Sequence, residues 1–309
     1  MIPKPPPREG MLGFLYLPPF RVQGISVAGE ATSVQVPELD VVFDMGACPR
    51  AVLASKYVAI SHGHMDHVGG LAYWCSQRHF QGMGEGKIIC DARIASDVDK
   101  MMAGFVNLER QKTPYQLMPI EPGQEIEIKN NHVMTCFDTE HTCPSVGFVI
   151  IEKRTKLKDE FAGMPQEKLR ELKERGTEIV NHLRVPLVAY IGDTLPGPYL
   201  LDPNVLNAQV IISECTFFEH DHKERARVGM HMHVDDIAEW LKVSSCQAMV
   251  LTHISRRTNL QFARDRLIEV CGRVDSNRVY FLMDHRTNRD RYERQAEEAE
   301  RRERELQRR

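Results

Sequence analysis

The chain has 309 residues, of which 42% are hydrophobic and 27% are charged, and its formal net charge at pH 7 is −3. Its apolar runs fall short of the ~18 residues that cross a bilayer, and its slight negative charge excludes a broad basic field for nucleic acid, so a membrane-spanning protein is excluded and any nucleic-acid contact must be local. Eight cysteines without a Cys-x-x-Cys pair, and an N-terminus of prolines and charges in place of a signal peptide, predict a cytoplasmic protein.

Short runs of β-branched and aromatic residues predict strands in the first half of the chain, where Pro and Gly interrupt strand-like sequence from the start. Apolar residues at helical spacing predict one helix that begins near residue 68 and another over residues 94–107. The predicted strands lie at 36–43, 56–60, 87–90, 125–128, 132–136 and 146–151.

Lys, Arg and Glu dominate residues 152–184, which we interpret as an inserted arm. Within it Pro165 and Gly176 bracket a predicted helix over residues 165–175. After residue 184 predicted strands and helices again follow one another, and this alternation along the chain indicates a layered α/β fold for residues 1–288. The last segment, 289–309, is almost wholly Arg and Glu and predicts an exposed helix or a disordered tail. The later strands are predicted at 185–191, 210–212 and 248–251, and the later helices at 235–243 and 260–271.

The most specific pattern is a cluster of three imidazoles and one carboxylate that directly follows the predicted strand at 56–60. His62 and His64 stand two residues apart and can face one point, whereas Asp66 and His67 can turn toward a second point at the start of the next helix. Nitrogen and oxygen ligands of this kind suit Zn²⁺, with Mn²⁺ and Fe²⁺ as alternatives. The carboxyl ends of strands in α/β sheets are also where ligand sites collect.

Three further candidate ligands follow other apolar strands. His141 follows the strand at 132–136, Asp193 follows the strand at 185–191, and His253 follows the strand at 248–251. An acid in the position of Asp193 is costly unless it is paired or binds a metal. Each residue alone is a weak signal, but all three recur in the same context of an apolar strand followed by a ligand.

This succession resembles the metallo-β-lactamase superfamily of dinuclear hydrolases over residues 36–258. The resemblance implies an αββα sandwich, in which two mixed sheets are flanked by helices and hold two divalent ions. It also implies that Asp193 bridges the two ions. One ion would be held by His62, His64 and His141, and the other by Asp66, His67 and His253.

Narrower motifs resemble ribonuclease Z (tRNase Z), the family that removes 3′ trailers from precursor tRNA, and most of all its short plant and bacterial form. They are Phe43-Asp-Met-Gly46, Glu214-Cys-Thr-Phe217, His231-Met-His233 and Leu251-Thr-His-Ile-Ser-Arg-Arg257. The resemblance implies that Glu214 orients His231, that His231 protonates the leaving 3′ oxygen, and that Arg257 contacts phosphate. His233 remains an alternative acid. The resemblance further implies a homodimer in which one subunit's arm holds the precursor tRNA that the other subunit cuts.

The hydrolysis of a phosphodiester needs the same groups, independently of the resemblance. Two divalent ions would activate water and neutralise the phosphoryl group, and Asp66 can accept a proton from that water as well as bind metal. An alkoxide leaves poorly, so a positioned acid is worth ~10²–10⁴-fold, whereas a thiolate leaving group needs none. Two other functions stay open: a small-molecule or cyclic-nucleotide phosphodiesterase on the same ions, and a catalytically silent RNA-binding module, against which the seven intact ligands argue.

Overall fold

Within residues 4–7 and 10–308, which the computed structural model describes, fourteen strands form two seven-stranded sheets. Part of the N-terminal segment that argued against a signal peptide, residues 1–3 and 8–9, lies outside the described residues, as does residue 309. The first sheet contains β1 (Gly13–Leu17), β2 (Phe20–Val27), β3 (Ala31–Val36), β4 (Val41–Phe43), β5 (Tyr57–Ile60), β6 (Gly86–Asp91) and β7 (Tyr115–Ile120). The second contains β8 (Glu125–Lys129), β9 (His132–Thr139), β10 (Ser145–Leu157), β11 (Val180–Tyr190), β12 (Val210–Glu214), β13 (Ala248–Thr252) and β14 (Val279–Phe281).

Helices cover both outer faces of the paired sheets. Trp74 is fully buried among the apolar side chains between the first sheet and its helices, and Trp240 is buried in the corresponding layer of the second sheet. The helices are α1 (Met65–Val68), α2 (Leu71–Phe80), α3 (Ala95–Glu109), α4 (Gln166–Glu174), α5 (Pro203–Leu206), α6 (Lys223–Gly229), α7 (Val234–Val243), α8 (Leu260–Ser276) and α9 (His285–Gln307).

The two sheets repeat one plan. In each, the first four strands pair antiparallel in sequence order and the last four pair parallel, so β4–β7 and β11–β14 are the parallel halves. Apolar side chains of both sheets pack against one another in the centre, where the rings of Phe43 and Tyr190 stack at 4.7 Å. This arrangement confirms the αββα sandwich.

Several predicted elements need correction. The strand predicted at 36–43 is wrong in its middle, because Pro37 begins a single 3-10 turn and Asp40 adopts a left-handed backbone conformation (φ 57°) before β4 starts. Strands β7 and β14 escaped prediction. β7 contains Pro119 and has only one buried residue, and β14 has three residues. α8 continues past residue 271 only through an interruption at Gly272, where φ is 73°.

The charged segment at 152–184 continues the sheet. Strands β10 and β11 stay paired as far as Leu157 and Val180, so they form a two-stranded ribbon with α4 at its far end. The predicted helix at 165–175 is confirmed as Gln166–Glu174, and it has no buried residue. The exposed charges explain why the strands within this segment were not predicted.

The last helix, α9, extends 23 residues from His285. Its first part packs on β1, since the Tyr292 ring meets the Phe14 ring edge-on at 5.5 Å and the Gln295 amide donates to the carbonyl of Tyr16. Neither α9 nor any other helix of the described residues combines the length and the apolarity that crossing a bilayer requires.

Candidate metal centre

One edge of the sandwich collects the loops that carry the predicted ligands. The two sheets are joined there by a hydrogen bond from the Val146 amide to the Ser61 carbonyl, at 3.0 Å. Because the parallel strands of each sheet end at this edge, residues far apart in sequence become neighbours. All seven predicted metal ligands are brought together: His62, His64, Asp66 and His67 after β5, His141 between β9 and β10, Asp193 after β11, and His253 after β13.

Among the described residues, five overlapping groups of three possible ligand atoms lie within 4.8 Å of one another, and three of these groups include Asp193, Glu214 or His231. The other two groups contain only the remaining predicted ligands. They match the two sets implied by the resemblance. In the first group, His64 Nδ1 and His141 Nε2 are 3.2 Å apart. In the second, Asp66 Oδ2 lies 3.5 Å from His253 Nε2. The first group is His62, His64 and His141, and the second is Asp66, His67 and His253.

Asp193 stands between these groups. Its Oδ2 atom lies 3.9 Å from His62 Nε2 in the first group, and 3.3 Å from His67 Nε2 and 3.0 Å from His253 Nε2 in the second. Burial opposes ionisation of this carboxyl group, but the charges of His253 and His67 outweigh it and hold the pKa of Asp193 well below its usual range. A single charged oxygen therefore faces ligands of both groups.

Two buried nitrogen atoms indicate that this cluster fits metal ions. The Nε2 atoms of His62 and His67 are fully enclosed and have no hydrogen-bond partner among the described residues. A buried polar atom without a partner is costly and calls for an explanation. Burial and the neighbouring charge of His67 lower the pKa of His62 to about 2, which leaves its imidazole neutral and able to donate a lone pair.

Contacts with Nδ1 orient the Nε2 atoms of His67 and His141 toward the cluster. Asp44 Oδ2 lies 2.8 Å from His67 Nδ1, and the Met230 carbonyl lies 3.0 Å from His141 Nδ1. When Nδ1 donates a hydrogen to such an oxygen, Nε2 is left with its lone pair toward the cluster. The contacts thus fix which nitrogen of His67 and of His141 faces the cluster, as a metal ligand needs.

The sequence analysis did not assign a role to Asp44, which is fully buried at the end of β4. Its carboxylate accepts hydrogen bonds from the Ser61 amide and hydroxyl and from the Tyr190 hydroxyl, in addition to its contact with His67. The signal that identified Asp193, an acid directly after an apolar strand, also applies to Asp44 and could have found it. Asp44 therefore acts as the support that holds His67.

Two glycines permit the close packing of the loops. A Cβ atom on Gly46 would stand 1.7 Å from the Asp66 carbonyl oxygen, so only glycine lets the loop after β4 lie against α1. Gly192 has a φ of 68°, and a Cβ there would meet the Ser61 side chain at 2.9 Å. The glycine that precedes Asp193 is thus required by both backbone conformation and space.

Beside the metal ligands lies a carboxylate–imidazole pair, Glu214 and His231. Glu214 is 1% exposed, and its Oε1 atom accepts hydrogen bonds from the backbone amides of Thr194 and Met232 and lies 2.9 Å from His231 Nδ1. The His231 ring is within 5.1 Å of the His253 ring, centre to centre. Burial disfavours the imidazolium, but the Glu214 charge outweighs it and raises the pKa of His231 to about 9.

Thr216 connects this pair to the candidate metal ligands, a role that its place in the Glu214–Phe217 motif did not predict. Its hydroxyl lies 2.7 Å from Glu214 Oε2 and 2.9 Å from His253 Nδ1. A hydroxyl can donate to the first and accept from the second. The Glu214 carboxylate therefore orients His231 directly and His253 through Thr216.

His233 and Arg257 occupy different environments from His231. His233 is buried at the N-terminus of α7, where its Nδ1 accepts from the Asp235 amide and its Nε2 lies 2.9 Å from the Glu219 carbonyl. Nδ1 thus caps α7, and Nε2 is engaged by the carbonyl of a loop residue that precedes α6. Arg257 is exposed in the loop after His253, and none of the described residues forms a hydrogen bond or ion pair with its guanidinium group.

Comparisons with known proteins agree with this geometry. Residues 40–254 match the family model described as a beta-lactamase superfamily domain. The chain is 33% identical to the chloroplastic tRNase Z TRZ2 of Arabidopsis thaliana over 261 residues, which cover 83% of this chain and 73% of the relative. It is 30% identical to tRNase Z TRZ1 of the same plant over 249 residues, 80% of this chain and 89% of the relative. The solved structure of the short form of human tRNase Z shares the fold, with a TM-score of 0.57 at 15% identity, covering 89% of this chain and 96% of that one.

Proposed function

The chain belongs to the ribonuclease Z family of the beta-lactamase superfamily, and we propose that it is a metal-dependent endoribonuclease that cleaves precursor tRNA at the 3′ end and releases the trailer. The observation that carries this proposal is the pair formed by the buried Glu214 and the partly exposed His231 beside the candidate metal ligands. A phosphodiester with an alkoxide leaving group requires such an acid. No comparable observation favours a smaller phosphodiester substrate.

We propose two divalent metal ions as cofactors, with Zn²⁺ as the first candidate. Support comes from the two groups of imidazole and carboxylate ligands, with Asp193 Oδ2 facing both. This donor set suits Zn²⁺ and is shared by Mn²⁺ and Fe²⁺. When bound, such ions lower the pKa of a water molecule and neutralise charge on the phosphoryl oxygens.

The residues of the chain supply the remaining steps. Asp66, whose pKa stays below its usual value because the hydrogen bond with His253 outweighs burial, can accept a proton from the attacking water. The oxygen of that water bonds to phosphorus while the bond from phosphorus to the 3′ oxygen breaks. His231, protonated and oriented by Glu214, donates its proton to this oxygen. We assign the acid to His231 over His233 because both ring nitrogens of His233 are engaged, Nδ1 in capping α7 and Nε2 with the Glu219 carbonyl.

The test uses the purified chain and a precursor tRNA with a 3′ extension. We expect one cut that yields a tRNA with a 3′ hydroxyl and a trailer with a 5′ phosphate, and we expect loss of cleavage on chelation with recovery when Zn²⁺ is restored. Mapping both new ends measures the outcome. Cleavage that persists after complete removal of metal, or random cutting along the RNA, would contradict the proposal.

We propose that the ribbon of β10 and β11 with α4 is the arm that grips tRNA, together with Arg257, which contacts phosphate near the cut. Of the eight basic side chains at 153–175, four have an ion-pair partner in the described structure. The other four lie in α4, directly after it, or directly after β10, and are available for RNA phosphates. They are Lys158, Lys168, Lys173 and Arg175.

Changing these four residues to alanine should raise the KM for precursor tRNA by about 10- to 100-fold. The KM should also depend less on salt concentration, because binding through fewer phosphate contacts releases fewer counterions from the RNA. Turnover of bis(p-nitrophenyl) phosphate reports on the metal centre and should stay within about twofold. A matched control changes Arg294, Arg301, Arg302 and Arg304 of α9 to alanine. Equal effects of the two variants would show that only net charge matters.

We also propose a homodimer, in which the arm of one subunit holds the tRNA cut by the other. Support comes from large apolar side chains that α2 and α3 leave exposed, among them Tyr73, Phe80 and Leu108. Burying such groups against a second copy would remove apolar surface from water.

For location we propose the cytoplasm, supported by cysteine usage. The eight cysteines are all free in the described structure, as expected for a reducing compartment. A plastid interior is the competing assignment, because one of the two plant relatives is named chloroplastic.

A further inference from the structure

A cavity of about 420 Å³ opens next to His231. Its lining includes His231 but none of the seven proposed metal ligands, so it meets the catalytic centre only at the proposed acid. Leu195 and Pro196, which follow β11, form part of its wall, and Ala226 and Arg227 of α6 contribute another part. The volume is in the range of small-molecule sites and suits a nucleotide.

Arg227 supplies a cation that the fold itself does not use. Among the described residues none forms a hydrogen bond or ion pair with its guanidinium group, and its side chain is exposed. Lys223, which also lines the cavity, is instead paired with Asp235 at 2.5 Å. Asp236 is occupied as well, because its carboxylate accepts from the His233 amide at 2.9 Å. An unpaired guanidinium beside an apolar wall is suited to a phosphodiester attached to a nucleoside.

The direction of proton transfer decides which nucleotide of the precursor tRNA would occupy the cavity. In the proposed reaction His231 protonates the 3′ oxygen, and that oxygen belongs to the ribose on the 5′ side of the cut. The nucleotide nearest His231 is therefore the last nucleotide of the mature tRNA, not the first nucleotide of the trailer. A cavity that shares only His231 with the centre lies next to that ribose.

We propose that this cavity holds the last nucleotide of the mature tRNA, and that Arg227 binds the phosphodiester on the 5′ side of that nucleotide. The inference rests on the proposed function and adds to it a binding site that positions the leaving group. Arg227 then acts by holding the RNA chain so that the 3′ oxygen meets His231. The same site gives the enzyme a grip on the RNA that is independent of the arm.

The test combines a protein variant with a change in a single RNA linkage. Three precursor tRNAs are compared: one unmodified, one with an uncharged methylphosphonate at the linkage on the 5′ side of the last mature nucleotide, and one with it at the first linkage within the trailer. For the wild-type protein we expect the 5′-side substitution to lower kcat/KM by about tenfold, the scale of one charge-assisted contact. Arg227→Ala should lower kcat/KM to the same degree on unmodified RNA and add no further loss on the 5′-modified RNA.

Arg225→Ala is the matched control, since it removes the same charge from the same helix. Arg225 lies outside the cavity, stacks on Phe217 and contacts His222. The kcat/KM of the Arg225→Ala variant should still fall by about tenfold when the 5′-side linkage is modified, as it does for the wild-type protein. Arg227→Lys should recover part of the loss, because it retains the charge without the planar fork.

The results separate this inference from the proposed function. If the losses from Arg227→Ala and from the 5′-side modification multiply, Arg227 does not contact that phosphate and the inference is wrong. If the coupling appears with the trailer-side modification, the cavity holds the trailer and the inference is equally wrong. If the wild-type protein turns over bis(p-nitrophenyl) phosphate but leaves all three RNAs intact, the proposed function itself fails.

Discussion

Changing Asp193 to alanine should lower cleavage of precursor tRNA by ~10³-fold or more and remove bound metal from the purified protein. The reason is that its Oδ2 atom faces ligands of both groups, so its loss weakens both sites at once. Catalytic divalent ions typically supply several kcal/mol of transition-state stabilisation, and each 1.4 kcal/mol is a factor of ten in rate. Single-turnover cleavage and elemental analysis of the same sample measure the two effects.

Asp138→Ala is the control for this variant. Asp138 lies near the end of β9, is 63% exposed and pairs with Arg93. It should retain both metal and activity. Circular dichroism checks that the Asp193 variant is folded, since the change removes a buried carboxylate. A folded Asp193→Ala protein with normal metal content and near-normal cleavage would exclude Asp193 from the centre.

The second large effect is expected for His231→Ala, which should slow cleavage of precursor tRNA by ~10²–10⁴-fold, the contribution of a positioned general acid. The 3′ alkoxide leaves poorly and needs a proton, whereas p-nitrophenolate leaves without one. The loss on bis(p-nitrophenyl) phosphate should therefore be much smaller. Because Glu214 holds the imidazole at 2.9 Å, Glu214→Gln should produce the same pattern in weaker form.

A histidine without a place in the centre provides the comparison. His220 is 70% exposed and pairs weakly with Glu269 at 3.9 Å, so His220→Ala should behave as the wild type on both substrates. Equal losses of His231→Ala on the two substrates would argue that His231 binds or supports metal and does not donate a proton. If a folded His233→Ala variant lost activity on precursor tRNA but kept it on bis(p-nitrophenyl) phosphate, His233 and not His231 would be the acid.

The local sequence was sufficient to select the seven candidate metal ligands that the fold brings together, because they lie in the segments that follow short apolar strands. A buried strand has to end, and a histidine or aspartate at its carboxyl end is placed at a sheet edge whatever the rest of the chain does. A layered α/β fold could likewise be anticipated from the alternation of strand and helix patterns, whereas the αββα order of the layers came from the family resemblance. Strands β7 and β14 were missed because neither has a run of apolar residues long enough to predict a strand.

Other features depend on contacts that no local pattern encodes. The hydrogen bonds of Asp44 to Tyr190, and of Thr216 to His253, join residues 146 and 37 positions apart. Whether His231 or His233 is free to act was open in the sequence, because both stand in one short motif. The fold places His233 at the start of a helix, where its ring accepts from a backbone amide that has no partner within the helix, and this favours His231 as the acid.

The chain order of strands and ligands by itself determined which residues could gather around divalent ions. Only the packing of the two sheets decided how far apart those ligands lie, which imidazole stays uncommitted, and that a cavity with an unpaired Arg227 opens beside it. The physical reason is range: backbone preferences and hydrophobic periodicity act over a few neighbouring residues. Distances between side chains from different strands are set by how both sheets bury their apolar faces against each other.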